Sequence, residues 1–312
     1  MMCRVSASGT YPGPGSGQTS ADLPAWVVDA LRGAGCVFAE DEAAILIQAA
    51  EDPRRLAAMV RRRVEGTPLE YIVGWVEFCG LRVGVDEGVF VPRRRSELLV
   101  RAACARLADR PNPVVVDLCC GCGAIGLAIA AAVPGVELHA ADLDPAAVRC
   151  AGRNLTPIAG RVHLGDLFDP LPRQLRGRVD VLVCNAPYVP TGAIALMPPE
   201  ARDHEPALAL DGGADGTDVL RRVTGGAIDW LGVDGVVLVE AGESQLPVVT
   251  AAMRSAGLDP DVVTDDDVDG TVVIGRRSRM LGKLPHFGTS PPPVPGASPL
   301  HPGAPRDAAR LP

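Results

Sequence analysis

The sequence lacks the features that mark membrane proteins, secreted proteins and proteins that coat nucleic acid. It contains no run of about 18 apolar residues, which is the length that a membrane-spanning helix needs. Its first residues contain no apolar segment of the kind that secretory signals carry. The net charge is −8, whereas binding to nucleic acid by phosphate neutralisation alone needs a basic surface. We therefore predict a cytoplasmic protein that has no membrane partner and does not take nucleic acid as its direct substrate.

The cysteines lack the arrangement of a metal site. There are nine of them, an odd number, scattered through apolar segments and glycine-rich turns, which is typical of free thiols in a reducing compartment. Cys119 and Cys122 form a CxxC, but neither a second such pair nor nearby histidines accompany it. We predict that no metal is bound. A redox role for this pair would require an activated thiolate.

Composition divides the chain into five segments. Residues 1–20 are rich in Gly, Ser and Pro, residues 280–312 are rich in Pro, and we predict that both are disordered. Residues 21–74 carry helical patterns and predict a small helical domain. Residues 75–92 alternate apolar and polar side chains around glycines and predict a β-hairpin linker. Residues 93–279 form the remaining, larger domain.

The helical segment contains two clear helix patterns, DEAAILIQAA and PRRLAAMVRRRVEG, after a first helix that begins near Pro24. Pro53 stands at the start of the last helix and Gly66 follows its end. The triple arginine from Arg61 to Arg63 lies in its final turn, where the helix dipole favours positive charge. We predict that these arginines form a solvated face.

The larger domain alternates short apolar runs with the helical patterns SELLVRAACARLA, GAIGLAIAAAV and DPAAVRCAGRNL. The predicted strands are PVVVDL, VELHAAD, RVHLGD, VDVLVC, GVVLVE and TVVIGR. Alternating βα units with apolar strands predict a doubly wound, mostly parallel sheet. Such sheets bind ligands at the carboxyl ends of their strands.

The stretch VVVDLCCGCGAIG fits two kinds of cofactor loop. Gly121, Gly123 and Gly126 match the GxGxxG of a dinucleotide loop between a strand and a helix. An acid, Asp117, ends the strand just before the glycines, and a carboxylate would repel a pyrophosphate. The same acid suits the ammonium group of S-adenosylmethionine, which has no phosphate. The glycines allow the backbone to approach such a ligand closely.

Acids stand at the ends of three consecutive predicted strands: Asp117, Asp142 and Asp166. A carboxylate at Asp142 can accept both ribose hydroxyls, and Asp166 can reach the adenine amino group, with Leu167 and Phe168 walling the ring. A helix cap is an equal explanation for Asp142 taken alone. Three acids at one sheet edge together favour a ligand.

The apolar run Val181 to Cys184 ends at NAPY, which places a carboxamide and an aromatic ring at the ligand edge. A simple turn explains the composition but not this location. The Asn185 side-chain oxygen and the Ala186 carbonyl can each accept one N–H of a planar NH₂ group. Tyr188 can lie against that group, and Pro187 stiffens the turn. This pattern predicts methyl transfer to an amide or exocyclic amine.

Several segments resemble those of the HemK-type protein-(glutamine-N5) methyltransferases, the release-factor glutamine methyltransferase family. NAPY is similar to the family's NPPY, and the similarity extends to PLEYIVGWVEFCGLRVGVDEGVFVPRRRSELLV, EPALALDGGADGTDVLRRV and VLVEAGESQ. The resemblance implies a class I, Rossmann-like methyltransferase sheet in residues 93–279, with S-adenosylmethionine as cofactor. It implies a glutamine-bearing protein as substrate, a peptide-chain release factor or a related protein, which the small helical domain of residues 21–74 would help to dock. The cofactor-binding positions would be Asp117, Cys119, Cys120, Gly121, Cys122, Gly123, Asp142, Leu143, Asp166, Leu167 and Asn185, and the catalytic positions Asn185, Ala186, Pro187 and Tyr188.

Three positions depart from the family pattern. Ala186 replaces a proline of NPPY, Arg94 and Arg95 replace a proline and an acid in the segment PRRRSE, and Cys119 replaces the first glycine of the cofactor loop. The departures near the acceptor indicate a paralogous branch. The competing hypotheses are an N6-adenine or N2-guanine nucleic-acid methyltransferase, a non-catalytic cofactor-binding protein and a nicotinamide dehydrogenase. Nothing in the sequence demands a dimer, so we expect a monomer.

Overall fold

The computed structural model of the protein describes residues 24–277. The predictions for residues 1–20 and 280–312 lie outside this range. Within it, no helix is both long enough and apolar enough to cross a membrane.

Four helices form a bundle at the start of the described chain: α1 (Ala25–Gly33), α2 (Ala39–Ala49), α3 (Pro53–Val64) and α4 (Leu69–Val73). The start of α3 follows from its sequence, because the Asp52 side chain accepts hydrogen bonds from the backbone N–H groups of Arg54 and Arg55 at 2.7 and 2.8 Å. Leu31, Leu46 and Met59 lie in an apolar core that belongs to the bundle alone. The sequence did not predict α4. The domain boundary between residues 74 and 75 stays a prediction.

Arg63 corrects the prediction of a solvated arginine face. Its side chain is only 7% exposed, and its guanidinium pairs with Glu42 at 2.6 Å and with Glu200 at 2.7 Å. The buried charge is compensated by two carboxylates, one of them from a distant part of the chain. Arg63 therefore connects the helical bundle to the larger domain.

A β-hairpin forms in the first part of residues 75–92, and their role as a linker between two domains stays a prediction. Strands β1 (Trp75–Phe78) and β2 (Leu81–Gly84) pair antiparallel. The reversal between them uses Cys79 and Gly80, which both have positive φ. Phe78 and Val83 are buried on the side that faces the larger domain's core.

The larger domain is built on one sheet of seven strands within residues 24–277, in the order β5-β4-β3-β6-β7-β9-β8. The strands are β3 (Val114–Leu118), β4 (Glu137–Asp142), β5 (Arg161–Leu164), β6 (Val179–Cys184), β7 (Leu231–Glu240), β8 (Leu258–Asp265) and β9 (Gly270–Arg277). The first five in spatial order are parallel, and β9 pairs antiparallel with both β7 and β8. Apolar clusters cover both faces of the sheet, which confirms the predicted doubly wound architecture.

In the described part of the chain, seven α-helices accompany the sheet: α5 (Glu97–Leu107), α6 (Ala124–Ala132), α7 (Pro145–Leu155), α8 (Pro199–His204), α9 (Ala207–Leu210), α10 (Asp218–Ala227) and α11 (Leu246–Ser255). The sequence predicted α5, α6 and α7. It did not predict β8 or the helices from α8 onward.

Candidate methyltransferase site

A cavity of about 250 Å³ opens at the carboxyl ends of β3, β4 and β6. Most of the residues that the sequence singled out line it: Cys119, Cys120, Gly121, Cys122, Asp142, Leu143, Asp166, Leu167, Asn185, Ala186, Pro187 and Tyr188. Asp117 and Gly123 lie outside its lining. The cavity sits where a doubly wound sheet places its ligand.

The loop between β3 and α6 turns sharply through left-handed backbone. Cys119 has a φ of 54° and Gly121 a φ of 56°. A non-glycine residue in this conformation costs about 1–2 kcal/mol, so Cys119 strains the loop where the family pattern has glycine. A Cβ atom built on Gly121 would meet no atom within 4 Å, so the position is not crowded. Glycine suits it because glycine adopts the positive φ of this turn without strain. Burial raises the pKa of the Cys120 and Cys122 thiols, which disfavours a redox thiolate.

Asp142 connects the end of β4 to this loop. Its Oδ2 accepts from the Gly121 N–H at 2.8 Å, and its Oδ1 accepts from the Asp144 N–H at 2.9 Å. Each oxygen keeps a lone pair for a further donor. Burial raises the pKa of the Asp142 carboxyl. The cap of α7 is instead Asp144, whose side chain accepts from the Ala146 N–H at 2.8 Å.

Asp166 reaches the cavity beside an arginine. Its Oδ2 pairs with Arg222 of α10 at 2.6 Å, and Arg222 lines the cavity too. Leu167 follows with a φ of 46° and also lines the cavity. Phe168 corrects the sequence prediction, because it stacks on Trp230 with ring centroids 5.7 Å apart and lies outside the cavity lining.

Asp117 lies behind the loop in a fully buried position. Its Oδ2 accepts from the Gly126 N–H at 2.9 Å, while its buried Oδ1 has no hydrogen-bond partner. Burial raises the pKa of Asp117 to about 7. The structure thus shows Asp117 anchoring the start of α6, and a contact with a ligand's ammonium group stays a prediction.

Asn185 directly follows β6, and its amide group is held by a hydrogen bond. Its Nδ2 donates to the Oγ of buried Ser96 at 3.1 Å. Ser96 ends a short 3₁₀ turn that starts at Arg94. Because the nitrogen of the carboxamide is held by Ser96, its oxygen is the atom available to accept. The following residue, Ala186, lines the same cavity.

A buried acid holds the Tyr188 hydroxyl in place by a hydrogen bond. The hydroxyl donates to Oε1 of Glu240, the last residue of β7, at 3.0 Å. Burial raises the pKa of the Tyr188 phenol. The Tyr188 carbonyl accepts from Gln245 Nε2 at 2.8 Å. A fixed ring beside a fixed carboxamide is the preorganised geometry that an acceptor site needs.

The loop around Gly212 supports the same turn. Val189 N–H donates to the Leu210 carbonyl at 3.0 Å, and Gly212 N–H donates to the Val189 carbonyl at 2.9 Å. A side chain on Gly212 would come within 2.7 Å of the Pro187 carbonyl oxygen. This close approach explains the glycine, since only a residue without Cβ fits there.

Sequence reasoning missed three residues of the site: Ser96, Glu240 and Gln245. Each acts on the NAPY turn from a segment distant along the chain. The available signal was that PRRRSE and VLVEAGESQ resemble family segments, although their letters alone do not reveal which side chains touch the turn.

Comparison with known proteins, like the geometry of the site, indicates a methyltransferase. The family model of the methyltransferase small domain matches residues 81–197. A release factor glutamine methyltransferase of Geobacter sulfurreducens is 37% identical over 232 residues, which cover 72% of this chain and 80% of that protein. The 4-amino-L-phenylalanine/4-methylamino-L-phenylalanine methyltransferase of Streptomyces pristinaespiralis is 39% identical over 210 residues, covering 66% and 71%. The ribosomal protein uL3 glutamine methyltransferase of Burkholderia pseudomallei is 38% identical over 206 residues, covering 63% and 67%.

The sheet, the strand-end acids and the NAPY turn, together with these matches, define a methyltransferase. The chain belongs to the release factor glutamine methyltransferase family.

Proposed function

We propose that the protein transfers a methyl group from S-adenosylmethionine to the side-chain amide nitrogen of a glutamine in a protein substrate, a peptide-chain release factor or a related protein. The orientation of Asn185 supports this proposal most strongly, because Ser96 holds its nitrogen and leaves its oxygen to accept. The relatives that act on glutamine support the acceptor.

The residues of the cavity fit this cofactor. Asp142 offers carboxylate lone pairs for the two ribose hydroxyls. The loop from Cys119 to Gly123 brings backbone to the cavity wall, and Asp166 with Leu167 offers a polar and an apolar contact for adenine. The cofactor supplies an electrophilic methyl group on a sulfonium. Every other contribution to the reaction comes from the chain.

The chain's contribution is to orient the acceptor nitrogen. An amide nitrogen is a weak nucleophile because its lone pair is delocalised. The Asn185 oxygen and the Ala186 carbonyl would each accept one N–H, so that the remaining lone pair points at the methyl group. Tyr188 would lie against the planar amide. Orientation of this kind supplies ~7–11 kcal/mol in favourable cases. The nitrogen becomes strongly acidic once alkylated and releases its proton to water, so no side-chain base is required.

A second acceptor class is the aromatic amine of a free amino acid. The relative from Streptomyces pristinaespiralis, which is named for such a substrate, supports it at a comparable level of identity. An aromatic NH₂ is planar like an amide and fits the same pair of acceptor oxygens.

The test is a labelling assay with purified protein and S-adenosylmethionine carrying a tritiated methyl group. Intact release factors, ribosomal protein uL3 and 4-amino-L-phenylalanine are offered separately. We expect label in a protein, on a glutamine side chain when the digest is read by mass spectrometry. Asn185→Ala should abolish this labelling while calorimetry shows unchanged cofactor binding. Label in the free amino acid alone would replace the first proposal by the second, and label in RNA or DNA would contradict both.

A further inference from the structure

Three arginines line the cavity: Arg93, Arg95 and Arg222. Two of them are neutralised by short ion pairs. Arg93 lies 2.6 Å from Glu205, and Arg222 lies 2.6 Å from Asp166. The third, Arg95, makes a longer ion pair, with Glu240.

Arg95 lines the cavity, and the buried carboxylate of Glu240 lies beside its guanidinium. Its Nε lies 3.3 Å from Glu240 Oε1 but lacks the alignment of a hydrogen bond. The Arg95 side chain is 42% exposed and the Glu240 side chain only 3%. Because the carboxylate lies behind and already accepts from the Tyr188 hydroxyl, the cation is the part of the pair that a ligand in the cavity meets. Glu240 therefore balances part of the Arg95 charge without covering the guanidinium.

Arg95 also lies beside the acceptor position. It precedes Ser96, which holds the Asn185 carboxamide, and its guanidinium lies 5.9 Å from the centroid of the Tyr188 ring. An acceptor group placed between Asn185 and Tyr188 therefore has this cation as its neighbour.

Apolar side chains surround the acceptor end of the cavity. Phe90, Pro92, Met197, Pro206 and Leu208 all line it, and apolar walls strengthen a charge–charge contact by lowering the local dielectric. One acid, Asp211, lies at the same end. Its Oδ1 accepts from Thr191 Oγ1 at 2.7 Å and from the Gly213 N–H at 2.9 Å, so that oxygen is engaged within its own loop.

We propose that Arg95 binds a carboxylate of the methyl acceptor, close to the nitrogen that is methylated. A guanidinium can hold a carboxylate through two parallel N–H donors, which suits selection by charge and shape. The inference rests on the proposed function, because it assumes that the acceptor nitrogen sits at Asn185. The carboxylate has two sources: an Asp or Glu beside the glutamine of a protein substrate, or the α-carboxylate of a free amino acid.

The experiment uses the full chain and three glutamine-containing peptides that differ only in whether Asp, Asn or Lys follows the glutamine. A parallel arm compares 4-amino-L-phenylalanine with its α-carboxamide. We expect kcat/KM to be roughly tenfold or more higher for the carboxylate member of whichever arm is methylated, mostly through KM, as a charged hydrogen bond implies.

Variants at neighbouring arginines test the assignment. Arg95→Gln should remove the preference for the carboxylate, and Arg95→Glu should shift preference to the Lys peptide. Arg94→Gln is the matched control, because Arg94 is exposed and does not line the cavity, and it should keep the wild-type preference. Thermal melting of all variants checks that they fold.

Equal KM values for the members of the methylated arm in the wild-type protein, or a preference that survives in Arg95→Gln, would overturn the inference. Calorimetry of the same peptides on the protein loaded with S-adenosylhomocysteine separates it from the proposed function. Preferential binding of the Asp peptide without methylation of any acceptor would contradict the proposed reaction only. Equal binding would refute the role of Arg95, even if a glutamine is methylated.

Discussion

Ser96 and Asn185, which lie 89 residues apart in the chain, are joined by a hydrogen bond of 3.1 Å between Oγ and Nδ2. In this contact the carboxamide nitrogen faces Ser96, which leaves the oxygen to face the cavity. An unrestrained asparagine could present either its donor or its acceptor, and only the acceptor can receive an N–H from the substrate.

Ser96→Ala should therefore lower kcat without weakening cofactor binding. One hydrogen bond contributes about 1 kcal/mol, so a roughly fivefold decrease in kcat is expected. Steady-state kinetics and calorimetry with S-adenosylmethionine measure the two effects. Thr224→Ala removes a different buried hydroxyl, which donates to Leu220 in α10, and should leave kcat unchanged. A cofactor affinity that falls together with kcat in Ser96→Ala would show that the contact supports the whole loop.

Asp142→Ala should weaken cofactor binding. The carboxylate supports the Gly121 N–H and would accept the ribose hydroxyls, and charged hydrogen bonds contribute about 1.5–3 kcal/mol. We expect a Kd for S-adenosylmethionine that is roughly 10–100-fold higher by calorimetry. Asp109→Asn, at an exposed acid outside the cavity, is the control. An unchanged Kd would remove Asp142 from the cofactor site.

Glu42→Gln should destabilise the fold, because it removes one of the two carboxylates that neutralise the buried Arg63 guanidinium. Breaking a buried, hydrogen-bonded pair in this way is expected to cost about 2 kcal/mol, since Glu200 still compensates part of the charge. Urea unfolding measures the change. Glu40→Gln on the same helix alters an exposed pair with Arg32 and should have little effect. Equal effects of the two variants would mean that Arg63 gains nothing from Glu42.

Asp117 should make stability fall as the pH rises. Burial raises its pKa in the folded protein to about 7 from an ordinary value of 3.8. The protonated carboxyl is therefore favoured in the fold, and its stabilising contribution is lost between about pH 4 and pH 7. Asp117→Asn cannot ionise and should gain stability relative to the wild type across this window, as urea midpoints at several pH values would show. Asp229→Asn, at an exposed acid, should follow the wild-type curve; a constant difference between Asp117→Asn and the wild type would contradict the pKa shift.

The sequence revealed those parts of the fold that local patterns control. Buried parallel strands are short apolar runs, and an acid at the end of each run marks the ligand edge, so β3, β4 and β6 could be placed together with Asp117, Asp142 and Asn185. By contrast, β8 carries three aspartates and Pro260, which do not resemble a strand. This composition is compatible with a strand because β8 lies at the edge of the sheet. A proline and a solvent-exposed face cost little free energy there.

The supports of the site could not be read from local patterns, because their partners are distant along the chain. Nothing near Arg63 in sequence indicates that Glu200 will neutralise it. Nothing near Tyr188 indicates that Glu240 will accept its hydroxyl. In both cases burial is decided by tertiary packing, which overrides the preference of charged residues for solvent.

The short segment around α8 is fastened at both ends by arginines from other parts of the chain. Arg63 holds Glu200, and Arg93 holds Glu205, while Met197 and Pro206 from the same segment line the cavity. Swinging this segment outward would cost the Arg63 guanidinium one of its two carboxylates and would part Glu205 from Arg93. Through Glu200, the helical bundle thereby helps to hold one wall of the cavity in place.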